Sequence, residues 1–419
     1  MKRHVVITGI GVVTPLGIGK DVFWNNSLIG TPAIGPITRF DPARFQCKEA
    51  GEINNFQAEK HLNIKICKQT DRSTQMALVA SALALEDSGL DRDQENLCDV
   101  GIYFASLFGG MEFAEPELYG STFLGPRSVS AYQSIAWFYA ATQGQLSIGA
   151  GIRGYAKSIV ADLAGGLQAV GFGSRAIQAG HCKVVVAGGF EAPLAPYVYL
   201  IHETSGTLAR PKNGLPCSYL PFDSESNGMI LGEGAAVVVL EESEHAVARA
   251  ARIYGEISGF AVTRSGRSRL GPTANSMSMG AACLAQCFAT ALSEAGADTS
   301  SPIYYCADAA ARQEADREEV EAIREVFGQD AANVRMSAPK TLTGHTLAAA
   351  GAMDVIWTIL MMKEHTFLPT ANLEQSYCPQ IDQIRGRPYV KEIGTALCCS
   401  RGIDGLNSSV VLTASKQDN

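Results

Sequence analysis

The sequence predicts an α/β protein built from two related halves. A β-branched strand running into a glycine-punctuated turn opens the chain at Val5-Val-Ile-Thr-Gly-Ile-Gly-Val-Val-Thr-Pro-Leu-Gly17. An echo of it stands at Ile257-Ser-Gly-Phe-Ala-Val-Thr-Arg-Ser-Gly266, aligning Gly9 with Gly259, Thr14 with Thr263 and, with one residue skipped, Val13 with Val262. Between the two, buried-type strands alternate with helical stretches. At 419 residues the chain has room for two or three domains or one large duplicated unit. The division is expected near Glu241-Glu-Ser-Glu-His245, where a buried strand gives way to a charged surface, giving halves 1–245 and 246–419.

Gly9-Ile-Gly11 invites a phosphate-cradling reading, which fails because it runs into Pro15 and no Lys-Ser/Thr follows. Thr70 to Ser88 reads as a long alanine-rich helix, capped by Asp71 or Ser73 and closed by Gly89. Ala131 to Ile148 reads as one helix crowded with four aromatics, either a core helix or part of a partner-facing surface. Gly154 to Leu167 is an apolar run, a small-residue turn and the start of a helix extending to about Gln178. That is the grammar of a nucleophile elbow, in which a reactive side chain sits at a helix N-terminus. Leu163 at its tip has no lone pair with which to attack a carbonyl, so this is either an elbow lacking its nucleophile or an ordinary strand-turn-helix connection.

Cys182 to Glu191 reads as a buried strand stopped by Gly188 and Gly189, and Tyr219 to Leu240 as a loop feeding another strand. Asp316 to Phe327 is amphipathic, with Val320, Ile323 and Phe327 inward and its charges on a solvated face. Cys398-Cys399 reads as a strand terminus packing small sulfur side chains.

Hydrophobic residues make up 46% of the chain and the net charge is −8, which argues against partners such as nucleic acid or anionic membranes that need a basic face. The apolar opening is broken by glycine too early for a signal peptide, so a cytoplasmic location is expected. Eleven cysteines without a C-x-x-C pair indicate neither a disulfide framework nor a zinc knuckle, and no metal or cofactor is expected.

The elbow, the Cys182–Glu191 strand and Tyr219–Leu240 stand in an order that resembles the ketosynthases of the thiolase superfamily. Ala161-Asp-Leu-Ala-Gly-Gly-Leu-Gln-Ala169, Gly109-Gly-Met-Glu-Phe-Ala-Glu-Pro-Glu-Leu118, Ser128-Val-Ser-Ala-Tyr132 and Ala136-Trp-Phe-Tyr139 are similar to the chain-length factor of type II polyketide synthases, a ketosynthase-like subunit paired with an active ketosynthase. The resemblance runs from Val5 to about Leu412. It implies the duplicated thiolase-type fold, a five-layer αβαβα stack. It puts Leu163 where the enzymes carry cysteine and Asp308 in place of the first imidazole, while the second survives as His345, inside a Lys340 to Asp354 stretch that also keeps the lysine. His345 is there either a residual chemical group or a satisfied polar side chain. Gly402-Ile-Asp-Gly405 replaces the glycine-rich gating loop.

The resemblance further implies a heterodimer with a catalytic ketosynthase, an acyl carrier protein met through that complex, and a growing polyketide chain in a shared tunnel. Its gatekeepers fall on Met111, Ala114 and Leu118, three to four residues apart on one helical face, with Tyr197 and Phe138 nearby. The dimer seam is expected in the strand beginning near Gly154 and the stretches Met111–Leu118 and Tyr132–Tyr139. Two other readings stay open: an active acyltransferase with its nucleophile moved to Cys182 or Cys306, and a stand-alone binder of acyl carriers.

Overall fold

The computed structural model describes residues 3–266 and 276–414. Ten strands carry the fold: β1 Val5–Thr14, β2 Val100–Ala105, β3 Ala156–Ile159, β4 Val184–Glu191, β5 Gly234–Glu242, β6 Gly255–Arg264, β7 Ile303–Cys306, β8 Val334–Ser337, β9 Thr395–Arg401 and β10 Leu406–Thr413. The helices that matter for the site are α1 Arg72–Ser88, α2 Met111–Phe123, α3 Gln133–Ala136, α4 Ala141–Ala150, α5 Gly165–Gln178, α6 Pro196–Thr204, α7 Ser276–Ala295, α8 Gln313–Phe327 and α9 Ala350–Lys363.

From the centre outward the first five strands lie in the order β1-β5-β4-β2-β3 and the last five in the order β6-β10-β9-β7-β8. Each series is first, fifth, fourth, second, third in chain order, with the first two pairings antiparallel and the last two parallel. The series meet at one corner, where β1 and β6 pair antiparallel through Val5–Ile257, Val6–Glu256 and Ile7–Gly255. The Gly9/Gly259 echo has a packing cause. A Cβ on Gly9 would lie 2.2 Å from the Ala84 carbonyl of α1, and one on Gly259 would lie 2.0 Å from the Ala291 carbonyl of α7. Each glycine lets its half's first long helix press onto the opening strand.

Helices α5 and α9 lie between the halves and both touch strands of each. Buried from Ala350 to Met362, α9 is apolar on every side except at Asp354 and Thr358, as a helix enclosed between layers requires. With α1 outside the first sheet and α7 and α8 outside the second, the layers alternate αβαβα, the thiolase-type arrangement.

Asp71, rather than Ser73, caps α1 by accepting the Ser73 amide at 2.7 Å, and Gly89 closes that helix in the left-handed conformation at φ 61°. Strand β4 is not stopped by its glycines. It runs through Gly188 and Gly189 because the Ala236 and Ala348 carbonyls lie where their side chains would go.

Two further expectations are corrected. Ala131–Ile148 is not one helix but α3 and α4, broken at Trp137–Ala140. Its Tyr132, Trp137 and Phe138 are exposed, which removes the core-helix alternative. On α8, Val320, Ile323 and Phe327 are buried as expected, but Asp316, Glu318 and Glu319 are buried too. Periodicity recorded the apolar stripe and missed that the adjoining carboxylates accept buried hydrogen bonds.

Candidate functional site

The turn between β3 and α5 places Leu163 at its tip. The strained position is the residue before it: Asp162 holds φ 51°, and its carboxylate accepts the Ile403 amide across from the β9–β10 turn. That contact helps offset the left-handed backbone. Leu163 is 3% exposed and packs into an apolar cluster with Tyr199, Met229, Leu231 and Leu347, with Ile403 and Phe108 against its edge. Burying it contributes on the order of 2 kcal/mol. A buried aliphatic side chain therefore occupies the tip of this turn.

The remaining sequence-predicted groups converge around this cluster. The Asp308 carboxylate accepts the Arg401 amide at 2.8 Å, while its own carbonyl accepts from Lys340 Nζ at 2.9 Å. Lys340 also pairs with Asp354 at 2.7 Å, both side chains being buried. Burial pushes the Asp354 carboxyl up to about 6 despite that ammonium. Burial also opposes charge on Lys340, but the facing carboxylates of Asp354 and Asp308 hold it above its ordinary value. Glu319 of α8 accepts the Asp308 and Ala309 amides at 3.0 Å each and the Tyr305 hydroxyl at 2.6 Å. Buried Arg401 extends its guanidinium to Glu318 and to the Ala315 carbonyl.

His345 is buried, its amide donating to the Ile230 carbonyl at 2.7 Å and its Nδ1 accepting the Leu347 amide at 3.1 Å. Those bonds fix the ring and leave the proton of the neutral form on Nε2. In the Gly402–Gly405 turn, Gly402 lies against Asp162, Ile403 joins the Leu163 cluster, and exposed Asp404 pairs with Arg264. Glu191, at the end of β4, was missed by sequence reading because a lone glutamate ending an apolar strand carries no spacing signal. It accepts from Ser106 Oγ at 2.9 Å and from the Leu107 and Phe108 amides, and burial pushes its carboxyl up to about 8.

The residues expected as gatekeepers lie in one region and differ in exposure. Gly109 and Gly110 press α2 onto the Ala136–Trp137 backbone, and the Tyr197 amide donates to Glu115 of α2 at 3.1 Å. Leu118, Phe138 and Tyr197 are exposed and Met111 is half-buried, but Ala114 is only 2% exposed. The body of the protein covers Ala114, while Leu118, one turn further along the same face of α2, is exposed. Strand β3, at the sheet edge, is flanked by exposed Tyr155 and Val160. The two thiols considered as displaced nucleophiles, Cys182 and Cys306, are buried, and burial raises both above the usual thiol range.

This geometry defines a thiolase-type ketosynthase scaffold. Residues 2–246 match the family "Beta-ketoacyl synthase, N-terminal domain" and residues 254–374 match "Beta-ketoacyl synthase, C-terminal domain". The chain is 37% identical over 412 residues to the "Actinorhodin polyketide putative beta-ketoacyl synthase 2" of Streptomyces coelicolor, covering 97% of this chain and 98% of that one. It is 38% identical over 412 residues to the "Tetracenomycin polyketide synthase ketoacyl synthase beta subunit" of Streptomyces glaucescens, with the same coverage. A solved structure of a type II polyketide synthase acyl-carrier protein in complex with its ketosynthase bound to the hexaketide superposes with a TM-score of 0.89. Identity there is 26%, and the match covers 99% of this chain and 100% of the matched one. The chain belongs to the beta-ketoacyl synthase family and, within it, to the ketosynthase beta subunits, or chain-length factors, of type II polyketide synthases.

Proposed function

We propose that this protein is a non-catalytic chain-length factor that pairs with an active ketosynthase and helps shape the tunnel limiting polyketide length. The observation that carries this reading is Leu163, an aliphatic side chain buried at the tip of the elbow. Acyl transfer needs a nucleophile there and donors for the developing oxyanion. Leucine supplies no nucleophile, and Asp308 stands as a carboxylate held by the Arg401 amide. The chain then divides at 245/246 into two ketosynthase-like halves, a reading supported by their identical strand orders. Exposed apolar side chains on α2, around Trp137–Phe138 and flanking the β3 edge fit a seam covered by a partner. The carrier protein would be met through that complex, the setting described for the structurally similar ketosynthase.

The test is incubation of the purified chain and its Leu163→Cys variant with labelled malonyl carrier protein, each alone and with a catalytic ketosynthase. Neither alone should transfer label or release CO₂, since Asp308 and the Ile403–Asp404 turn remain in place, and both should support product formation with the partner. Turnover by either protein alone would defeat the non-catalytic reading. Carrier binding without any affinity for a ketosynthase would favour a stand-alone carrier binder instead.

A further inference from the structure

Outside the Leu163 centre, Cys47, Glu49 and Cys217 bring two sulfurs and a carboxylate oxygen together, all within 4.8 Å of one another. Spacing along the chain concealed the group, because one cysteine precedes the short strand Glu49–Ala50 and the other follows the tight turn at Lys212–Leu215. The carboxylate is positioned from the backbone: Glu49 Oε2 accepts the Lys48 amide at 3.1 Å and the Cys217 amide at 3.3 Å. The Glu49 carbonyl accepts the Tyr199 hydroxyl at 3.2 Å. Cys47 Sγ lies 3.9 Å from Glu49 Oε2, and Cys217 Sγ lies 3.4 Å from the Ala209 carbonyl. Both sulfurs are buried, and Glu49 and Cys217 line a cleft of about 420 Å³ that also includes Phe45, Lys48 and Leu215.

Two sulfurs and one oxygen suit a thiophilic tetrahedral ion and do not suit calcium or magnesium, which take oxygen ligands. With Zn–S near ~2.3 Å and Zn–O near ~2.0 Å, tetrahedral geometry sets the ligand atoms about 3.5–3.8 Å apart. Atoms within 4.8 Å of one another, with Cys47 Sγ already 3.9 Å from Glu49 Oε2, reach this by closing up to about 1 Å. Three protein ligands leave a fourth position, on the side where the cleft gives access.

We propose that Cys47, Cys217 and Glu49 form a binding site for a thiophilic divalent cation, Zn²⁺, whose fourth ligand enters from the adjoining cleft. Formation of the two Zn–S bonds breaks two S–H bonds, releases both protons to solvent and transfers no electrons. The ion clamps the segment around Cys47 to the loop around Cys217. Both contribute to the cluster that packs around Leu163, so the clamp stiffens the wall of the elbow pocket. The proposal is independent of whether the chain is catalytic.

The test uses the full chain, reduced and stripped with chelator, then titrated with Co²⁺ as a spectroscopic stand-in and afterwards with Zn²⁺. One Co²⁺ per chain should bind with a thiolate-to-cobalt charge-transfer band and be displaced by Zn²⁺. Cys47→Ser and Cys217→Ser should each weaken binding at least tenfold and diminish the band. Glu49→Gln should weaken binding while keeping the band, and Cys98→Ser, at an exposed cysteine outside the site, should change nothing. If the serine variants do not fold, calorimetry of the wild-type chain in buffers of different ionisation enthalpy should register about two protons released per Zn²⁺. No proton release, a band that survives the Cys47→Ser/Cys217→Ser double variant, or a Cys47–Cys217 disulfide in protein purified without oxygen would overturn the site.

Discussion

The backbone amide of Arg401 donates a 2.8 Å hydrogen bond to the carboxylate of Asp308, binding the last residue of β9 to the head of the loop after β7. The Arg401 side chain then reaches Glu318 and the Ala315 carbonyl on α8. One residue thus joins a strand, a loop and a helix.

Removing that guanidinium should unmask the carboxylates it neutralises. Arg401→Met leaves Glu318 buried without its cation, and breaking a buried pair in this way costs about 3–5 kcal/mol. Arg401→Lys should lose less, since charge survives while the fork of hydrogen bonds does not. Denaturant unfolding of the three proteins measures this, and an Arg401→Met midpoint equal to wild type would show the pair contributes nothing.

Glu191 should leave a mark on the pH dependence of stability. Burial raises its folded-state pKa from 4.5 to about 8, so the folded chain holds a proton that the unfolded chain has released. Stability from this group is full below about pH 4.5 and lost as pH rises through about 8. Glu191→Gln stays neutral while its side-chain oxygen still accepts from Ser106, Leu107 and Phe108. Relative to wild type, the variant should gain in melting temperature across that window, and parallel pH curves would count against a protonated Glu191.

The exposed aromatic stretch should matter to association and not to folding. Phe138 is 52% exposed, so Phe138→Asp should change the stability of the isolated chain by no more than about 0.5 kcal/mol. A charge buried without a partner at a heterodimer seam should lower affinity for the ketosynthase at least tenfold. Titration calorimetry with a catalytic ketosynthase compares the two proteins, and equal affinity would move the seam away from this stretch.

Some local signals were legible in the sequence, such as the Asp71 and Gly89 bounds of α1, while others, such as the glycines of β4 and the single helix over Ala131–Ile148, were not. Gly9 and Gly259 mark where helices press on the opening strands, the turn carrying Leu163 joins β3 to α5, and Leu163 and His345 are both buried. What stayed hidden depends on partners distant in the chain. The Asp316, Glu318 and Glu319 carboxylates look solvated on an amphipathic repeat, yet tertiary hydrogen bonds from Phe222, Arg401 and the Asp308 loop draw them inside. The break at Trp137 arises where the carbonyls of Ala136 and Trp137 meet Gly110 and Gly109, a contact between separate elements that helical propensity does not encode. Likewise, three-and-four spacing puts Ala114 and Leu118 on one face of α2 without showing that the protein body covers that face at Ala114 and leaves it open at Leu118.

That last distinction decides how a chain-length ruler must be tested. Ala114 is 2% exposed, so a phenylalanine there has to force its ring into packed structure, at a cost of about 1–3 kcal/mol. A changed product from Ala114→Phe would therefore report damage to α2 as readily as a shorter tunnel. Leu118 is 56% exposed and Met111 half-buried, so both accept a larger ring without disturbing the fold. If this surface faces the growing chain in the heterodimer, Leu118→Trp or Met111→Trp should shorten the product by one or more two-carbon units while the complex still assembles. Leu118→Ala, which removes bulk from the same place, should allow an equal or longer chain. Mass spectrometry of products from assembled complexes measures the lengths directly. Unchanged lengths in all three variants would take the gate off α2 and leave Tyr197 and Phe138, exposed beside it, as the residues to substitute next.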